Sequence, residues 1–156
     1  MTTTIAGRLL ELGLDLPEAT PPRASYVPAR EWGSVLYVSG QIAKQGNAVP
    51  PQFVGKVGST VSLDDAREAA RLCALNLIAQ VAAVVKGDID RVKGVLRLRG
   101  FVNATPDFAA HPAVIDAASD LLVEVFGERG RHARTAVGAG SLPQNVVVEI
   151  DADIRV

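Results

Sequence analysis

From Asn145 onward, apolar and polar side chains alternate. Val146, Val148, Ile150, Ala152, Ile154 and Val156 fall on one side; Val147, Glu149, Asp151, Asp153 and Arg155 fall on the other. A period of two sustained over that length predicts a strand with one buried face. A shorter, Gly-rich strand-like segment, Arg134 to Val137, comes before it. Leu142-Pro143 ends that segment, because proline fixes φ and has no N–H for a ladder. The alternation also runs from Arg91 to Asn103, with Val92, Leu96, Leu98 and Val102 opposite Lys93, Arg97, Arg99 and Asn103. Gly94 and Gly100 there permit a bulge or a close backbone approach. Ser34 to Ser39 predicts a further short strand, ended by Gly40.

The period changes to three or four between these strands. Ser62 can cap a helix whose first turn holds Asp64 and Asp65, with Ala66, Ala70, Cys73, Leu77, Val81 and Val84 as its apolar stripe and Lys86-Gly87 as its stop. A second helix is predicted from a cap at Asp107 to about Phe126, with Val114, Ala117, Leu121 and Val125 in phase. Pro112 fits only its first turn, and Gly127 closes it. Ile5, Leu9, Leu10 and Leu12 predict a short amphipathic helix within Thr2 to Leu14, followed by an extended connector at Pro17, Pro21 and Pro22. That run is too short and too charged for a secretory signal, and no stretch has the length of a membrane span. Gln45 to Ser59 is a Gly/Pro-containing loop with Phe53 as its aromatic. Two amphipathic helices covering one face of a mixed sheet give an α+β, two-layer domain.

The length of 156 residues fits a single domain over 1–156, with 1–22 as helical extension and Pro-rich connector. Hydrophobic residues make up 48% and aromatic residues 4%, so the core must be built from Val, Leu, Ile and Ala. A net charge of −1 argues against nucleic acid as partner, and favours a solvated or ion-paired face for Arg97 and Arg99 over an RNA patch. The single Cys73 excludes an internal disulfide and suits a reducing, cytoplasmic setting; on the helix stripe it reads as a buried, inert thiol. His111 and His132 without a cysteine cluster give no metal-ligand spacing, so no metal is expected. Gly55-Lys56-Val57-Gly58 lacks the spacing of a phosphate loop.

The candidate chemistry lies in the C-terminal strands. Arg134 beside strand carboxylates can be a plain cross-strand ion pair. It can also fork onto a ligand carboxylate while Glu149 handles a proton. Register matters here, since a slip of one residue changes which side chains share a face with Arg134.

Arg134-Thr135-x-Val137 through Leu142-Pro143, then Val146-x-Val148-Glu149-Ile150, resembles the C-terminal signature of the RidA family, also called YjgF or Rid proteins. Tyr37-Val38-Ser39-Gly40-Gln41-Ile42 resembles its Ser-Gly-Gln-Ile motif, and Tyr26 stands at the spacing of its binding-site tyrosine. The resemblance implies a chorismate-mutase-like fold, assembled as a homotrimeric barrel with ligand clefts between subunits. It implies hydrolysis of enamines and 2-imino acids to 2-keto acids and ammonia, without cofactor or metal. Arg134 would bind the substrate carboxylate and Glu149 would handle water. Ala136, Ser39 and Gly40 would position the substrate under Tyr26. Asn76 matches a family asparagine and reads as a structural amide. His111 stands where the family has a ligand-side asparagine, so it is either that residue's replacement or a surface histidine. A non-catalytic binder of small carboxylates and, against the charge, a ribonuclease or translation inhibitor stay open as alternatives.

Overall fold

A computed structural model describes residues 4–156. The elements follow in the order α1 (Ile5–Glu11), β1 (Ala29–Trp32), β2 (Val35–Ile42), α2 (Leu63–Val85), β3 (Gly94–Asn103), α3 (His111–Phe126), β4 (Ala133–Ala139) and β5 (Val148–Arg155). The five strands form one mixed sheet in the order β1-β2-β5-β3-β4, antiparallel except for the parallel β3/β4 pair that α3 connects. This is the α+β, chorismate-mutase-like arrangement that the pattern and the resemblance predict.

Helices α2 and α3 cover one face of the sheet. Leu77 and Ile78 of α2 and Ile115, Leu121 and Leu122 of α3 meet Leu36, Leu98, Ile150 and Ile154 of the strands, all without solvent exposure. Burying one such side chain contributes about 1.5–3 kcal/mol, so the aliphatic stripe explains why α2 forms here. The hydroxyl of Ser62 accepts the Asp65 amide at 3.0 Å, and Lys86 ends the helix in the left-handed region at φ 55°. α2 is long and apolar enough to cross a membrane by composition, but 67% of its apolar window is buried inside the domain. Cys73 is fully buried on it, with its sulfur 3.6 Å from the Val148 carbonyl, and burial pushes its thiol pKa well up.

Several local expectations change. β2 runs through Gly40 to Ile42, because a register shift between Val38 and Gln41 absorbs the glycine inside the strand. β3 has a similar irregularity between Val95 and Arg97; it buries Val95 and leaves Leu96 44% exposed, so the predicted face fails there. Asn103 is fully buried, held by Lys56 at 2.6 Å and by the Val146 carbonyl at 3.1 Å. Val147 is also buried, because the chain enters β5 only after packing against the Phe53 loop. α3 starts at His111 rather than beside Asp107, and no side chain caps it. The two C-terminal strands are not neighbours, since β3 lies between them. α1 docks at the end of the helix layer, where Arg8 donates to the Glu124 carbonyl at 3.1 Å.

Candidate functional site

The register fixes the two faces. Leu98 stands opposite both Arg134 and Ala152, and Gly100 opposite both Ala136 and Ile150. Opposed residues point to the same side, so Arg134 and Ala136 lie on the helix side with the core. Phe101 stands opposite both Val137 and Glu149, and Arg99 opposite Thr135 and Asp151. Within one protomer Arg134 and Glu149 therefore belong to opposite sides of the sheet.

Arg134 sits on the edge strand β4 and reaches to α3. Its Nη1 donates to Asp116 Oδ1 at 2.7 Å and to Ser119 Oγ at 3.2 Å. His132 stands behind Ser119. A carbonyl can only accept, so the 2.6 Å contact to the Gly130 oxygen places the proton on Nδ1; Nε2 then accepts the Ser119 hydroxyl at 2.9 Å. Burial, the largest cause, and the charge of Arg134 hold the imidazole below its ordinary pKa, against the Gly130 hydrogen bond, which raises it. The arginine is thus gripped by the Asp116 carboxylate and by Ser119 of α3, the serine being backed by the neutral imidazole that precedes β4. His111 packs its ring edge-on to Phe108, with centroids 5.2 Å apart, beside Gly138 of β4.

Glu149 is held in a different setting. It lines a cavity of about 250 Å³ whose other walls include Tyr26 and the Thr20–Arg23 connector, Gly40 to Ile42 of β2 with Lys44 just beyond it, Asn76 and Gln80 of α2, and Pro143-Gln144. Asn76 gives its amide to the Ile42 and Lys44 carbonyls at 3.0 Å each, the structural role expected of it. Gln80 pins the connector by donating to the Thr20 carbonyl at 3.0 Å. Ser39 does the same for the tyrosine segment, with its hydroxyl donating to the Val27 carbonyl at 2.7 Å. The Pro143–Asn145 turn carries Gln144 and Asn145, both at φ 56°, a costly conformation for non-glycine residues at the cavity rim.

Gly40 lets the carboxylate lie against the backbone, since a Cβ at that position would overlap Glu149 Oε1. Among the described residues Glu149 has no side-chain hydrogen bond and no ion-pair partner. Burial, and secondarily the Asp151 charge, raise its pKa. Its neighbours on the same face are paired instead. Arg99 bonds Asp151 at 2.5 Å and both oxygens of Asp153 at 2.9 Å, which raises the guanidinium's own pKa, chiefly through the Asp153 hydrogen bond. Burial, the largest cause, and the Asp153 charge raise the Asp151 pKa against the charge and hydrogen bond of Arg99, which lower it.

The cavity brings together Tyr26, Gly40 and Glu149, with Ser39 immediately behind. Arg134, Ala136 and His111 stand apart from it in the same protomer. Reading the sequence did not single out Lys44, Arg23, Asp116, Ser119 or the ring of His132. The spacing of Asp116 and Ser119 on one helix turn was the available signal for the arginine's partners.

Comparison with known proteins places this geometry. The sequence model of the YjgF/chorismate mutase-like family, whose description also carries the word endoribonuclease, matches residues 6–152. Protein TCP17 of Trypanosoma cruzi is 44% identical over 149 residues, covering 95% of this chain and 91% of its own. The crystal structure of Atu1372 from Agrobacterium tumefaciens superposes with a TM-score of 0.89 at 46% identity, over 97% of this chain and 92% of its own. E. coli TdcF, solved with bound serine, shares the fold at 20% identity and a TM-score of 0.62, over 89% and 94% of the two chains.

Proposed function

We propose, for a chain that belongs to the YjgF/chorismate mutase-like (RidA) family, that it hydrolyses 2-imino acids and their enamine tautomers to 2-keto acids and ammonia. One observation carries the reading: Glu149 is unpaired, half dry and raised in pKa, inside a cavity that has room for a small organic acid. A base in such a place holds a proton affinity closer to neutrality than an exposed carboxylate does.

The step asks little of the protein. Water adds to the protonated imine carbon while Glu149 takes a proton from it, forming a carbinolamine. Glu149 then returns that proton to the nitrogen, the carbon–nitrogen bond breaks with its electron pair leaving on ammonia, and the hydroxyl gives its proton to Glu149 as the carbinol oxygen becomes the keto group. Holding water and substrate in line contributes most, because effective molarity is the large term for such reactions. Tyr26 and the Ser39-Gly40 backbone form the wall that the substrate lies against.

The substrate carboxylate needs a guanidinium, and Arg134 is suited to a two-pronged bond. Because Arg134 and Glu149 face opposite sides of one sheet, the complete site would take Arg134 from a neighbouring copy in a homotrimer, with Ala136 and His111 alongside it. A non-catalytic carboxylate-binding role, which would keep Arg134 and not depend on Glu149, is the second reading, favoured by the serine bound to TdcF. A ribonuclease role conflicts with the net charge of −1.

The test is ammonia and keto-acid release from imines generated from amino acids, using wild type, Arg134→Ala and Glu149→Gln. The expected loss is about 10²–10⁴-fold in kcat for Glu149→Gln, and a rise in KM for Arg134→Ala. Equal rates for all three remove the hydrolase reading. An unchanged Glu149→Gln beside an impaired Arg134→Ala leaves the binder.

A further inference from the structure

The cavity beside Glu149 contains more positive charge than a simple imino acid can use. Resting on the hydrolase reading of that cavity, we propose that its substrate carries a second carboxylate, and that Lys44 and Arg23 form the subsite for it. Both residues line the cavity, Lys44 from the end of β2 and Arg23 from the connector. Lys44 is partly buried, and neither cation has a side-chain hydrogen bond or a carboxylate partner among the described residues. Arg71, Arg99, Arg131 and Arg134 elsewhere in the domain are all paired.

Three of the four side-chain amides lining the cavity are already used on backbone carbonyls, that of Gln41 on Ser39. The Asn76 amide is used on the Ile42 and Lys44 carbonyls, and the Gln80 amide on the Thr20 carbonyl. These bonds fix the backbone at Lys44 and at Thr20, three residues before Arg23, and so the points from which the two side chains extend. Glu149 is the one carboxylate among the lining residues, and it pairs with neither cation, lying instead over Gly40. The lining therefore keeps a net positive charge whatever the protonation of Glu149. A cavity of about 250 Å³ admits a short dicarboxylate. One acidic end would be held by Lys44 and Arg23, and the reacting carbon would stand toward Glu149. Charge complementarity of this kind sets specificity by rewarding the doubly charged ligand over the singly charged one.

Calorimetric titration of the full chain with 2-oxoglutarate and 2-oxobutyrate tests the subsite independently of turnover. Wild type is expected to bind the dicarboxylate at least ~10-fold more tightly. Lys44→Ala and Arg23→Ala should each shrink that ratio, the double variant should abolish it, and Lys44→Arg should keep it. Equal affinity for the two keto acids in wild type, or an unchanged ratio in the double variant, overturns the proposal. In the imine assay, the kcat/KM preference for the glutamate-derived over the alanine-derived imine should fall in the same variants. Selective binding by a wild type that hydrolyses neither imine would defeat the hydrolase reading and leave the subsite standing. Turnover without preference for the acidic imine would do the reverse.

Discussion

The edge and the middle of the sheet treat their charged residues in opposite ways. At the β4 edge, Arg134 is satisfied within its own protomer by Asp116, Ser119 and, through the serine, His132. On the central strand β5, Glu149 has no such partner among the described residues, and its pKa is raised by burial. Hydrogen bonds through Nη1 fix the guanidinium and leave its other N–H groups for a ligand; an unpaired charged group beside a cavity is costly and open to one. The arginine is held in place by its partners, and the carboxylate is left open beside a cavity. Their roles then follow from what surrounds them rather than from residue type alone.

The strongest way to break that contrast is to displace Glu149 without touching its charge. The φ of Gly40 lies outside the left-handed region, so alanine is compatible with the backbone and its Cβ would meet only the glutamate's mobile end. Gly40→Ala should cut kcat/KM for imine hydrolysis by about 10²-fold, as expected for an ångström-scale misplacement, with the unfolding temperature near that of wild type. Preserved activity would mean that the position of the carboxylate is irrelevant.

A smaller effect concerns pH. The folded-state pKa of Glu149 is raised, so between the ordinary carboxyl value and that raised value the folded chain binds more protons than the unfolded one. Stability should fall as pH climbs through this window, and Asp151 acts in the same direction. Glu149→Gln removes part of the loss. In urea unfolding its stability relative to wild type should grow above the window and vanish below it. A difference that does not vary with pH would contradict the raised pKa.

The smallest effect is expected at the arginine. Asp116 is half exposed, so Asp116→Asn should change stability by only about 0.2–1 kcal/mol. Loosened from its anion, Arg134 should bind a substrate carboxylate as well as before or somewhat better, read as an unchanged or lowered KM. A large rise in KM would show that Asp116 positions the guanidinium for the ligand, which would sharpen the account of Arg134 as a held group.

Much of the architecture was legible in the residues. Ser62 and Lys86 bound α2 as expected, the aliphatic stripe faces the sheet, and the β5 alternation from Val148 to Ile154 separates core from charge. These are local patterns, and each is enforced by burying one face of one element. The failures lie where neighbours override the local period. Leu96 is exposed because a bulge in β3 shifts its pairing with β5, and Val147 is buried because the Phe53 loop covers it. Helix α3 starts later than Asp107 because the Ala104-to-Ala110 segment is held by the Val57 loop, where Thr105 donates to the Val57 carbonyl at 3.1 Å.

The sequence by itself determined where both long helices and most of the strands form and which side chains are candidates for chemistry, because period and side-chain type are properties of short stretches. Only the tertiary structure decided that β3 separates the two C-terminal strands, that Arg134 and Glu149 face opposite sides, and that a distant connector brings Arg23 to the cavity of Lys44 and Glu149. Strand order, register and the docking of a connector are settled by contacts between residues far apart in the chain. No local pattern records which of those contacts forms the better-packed core.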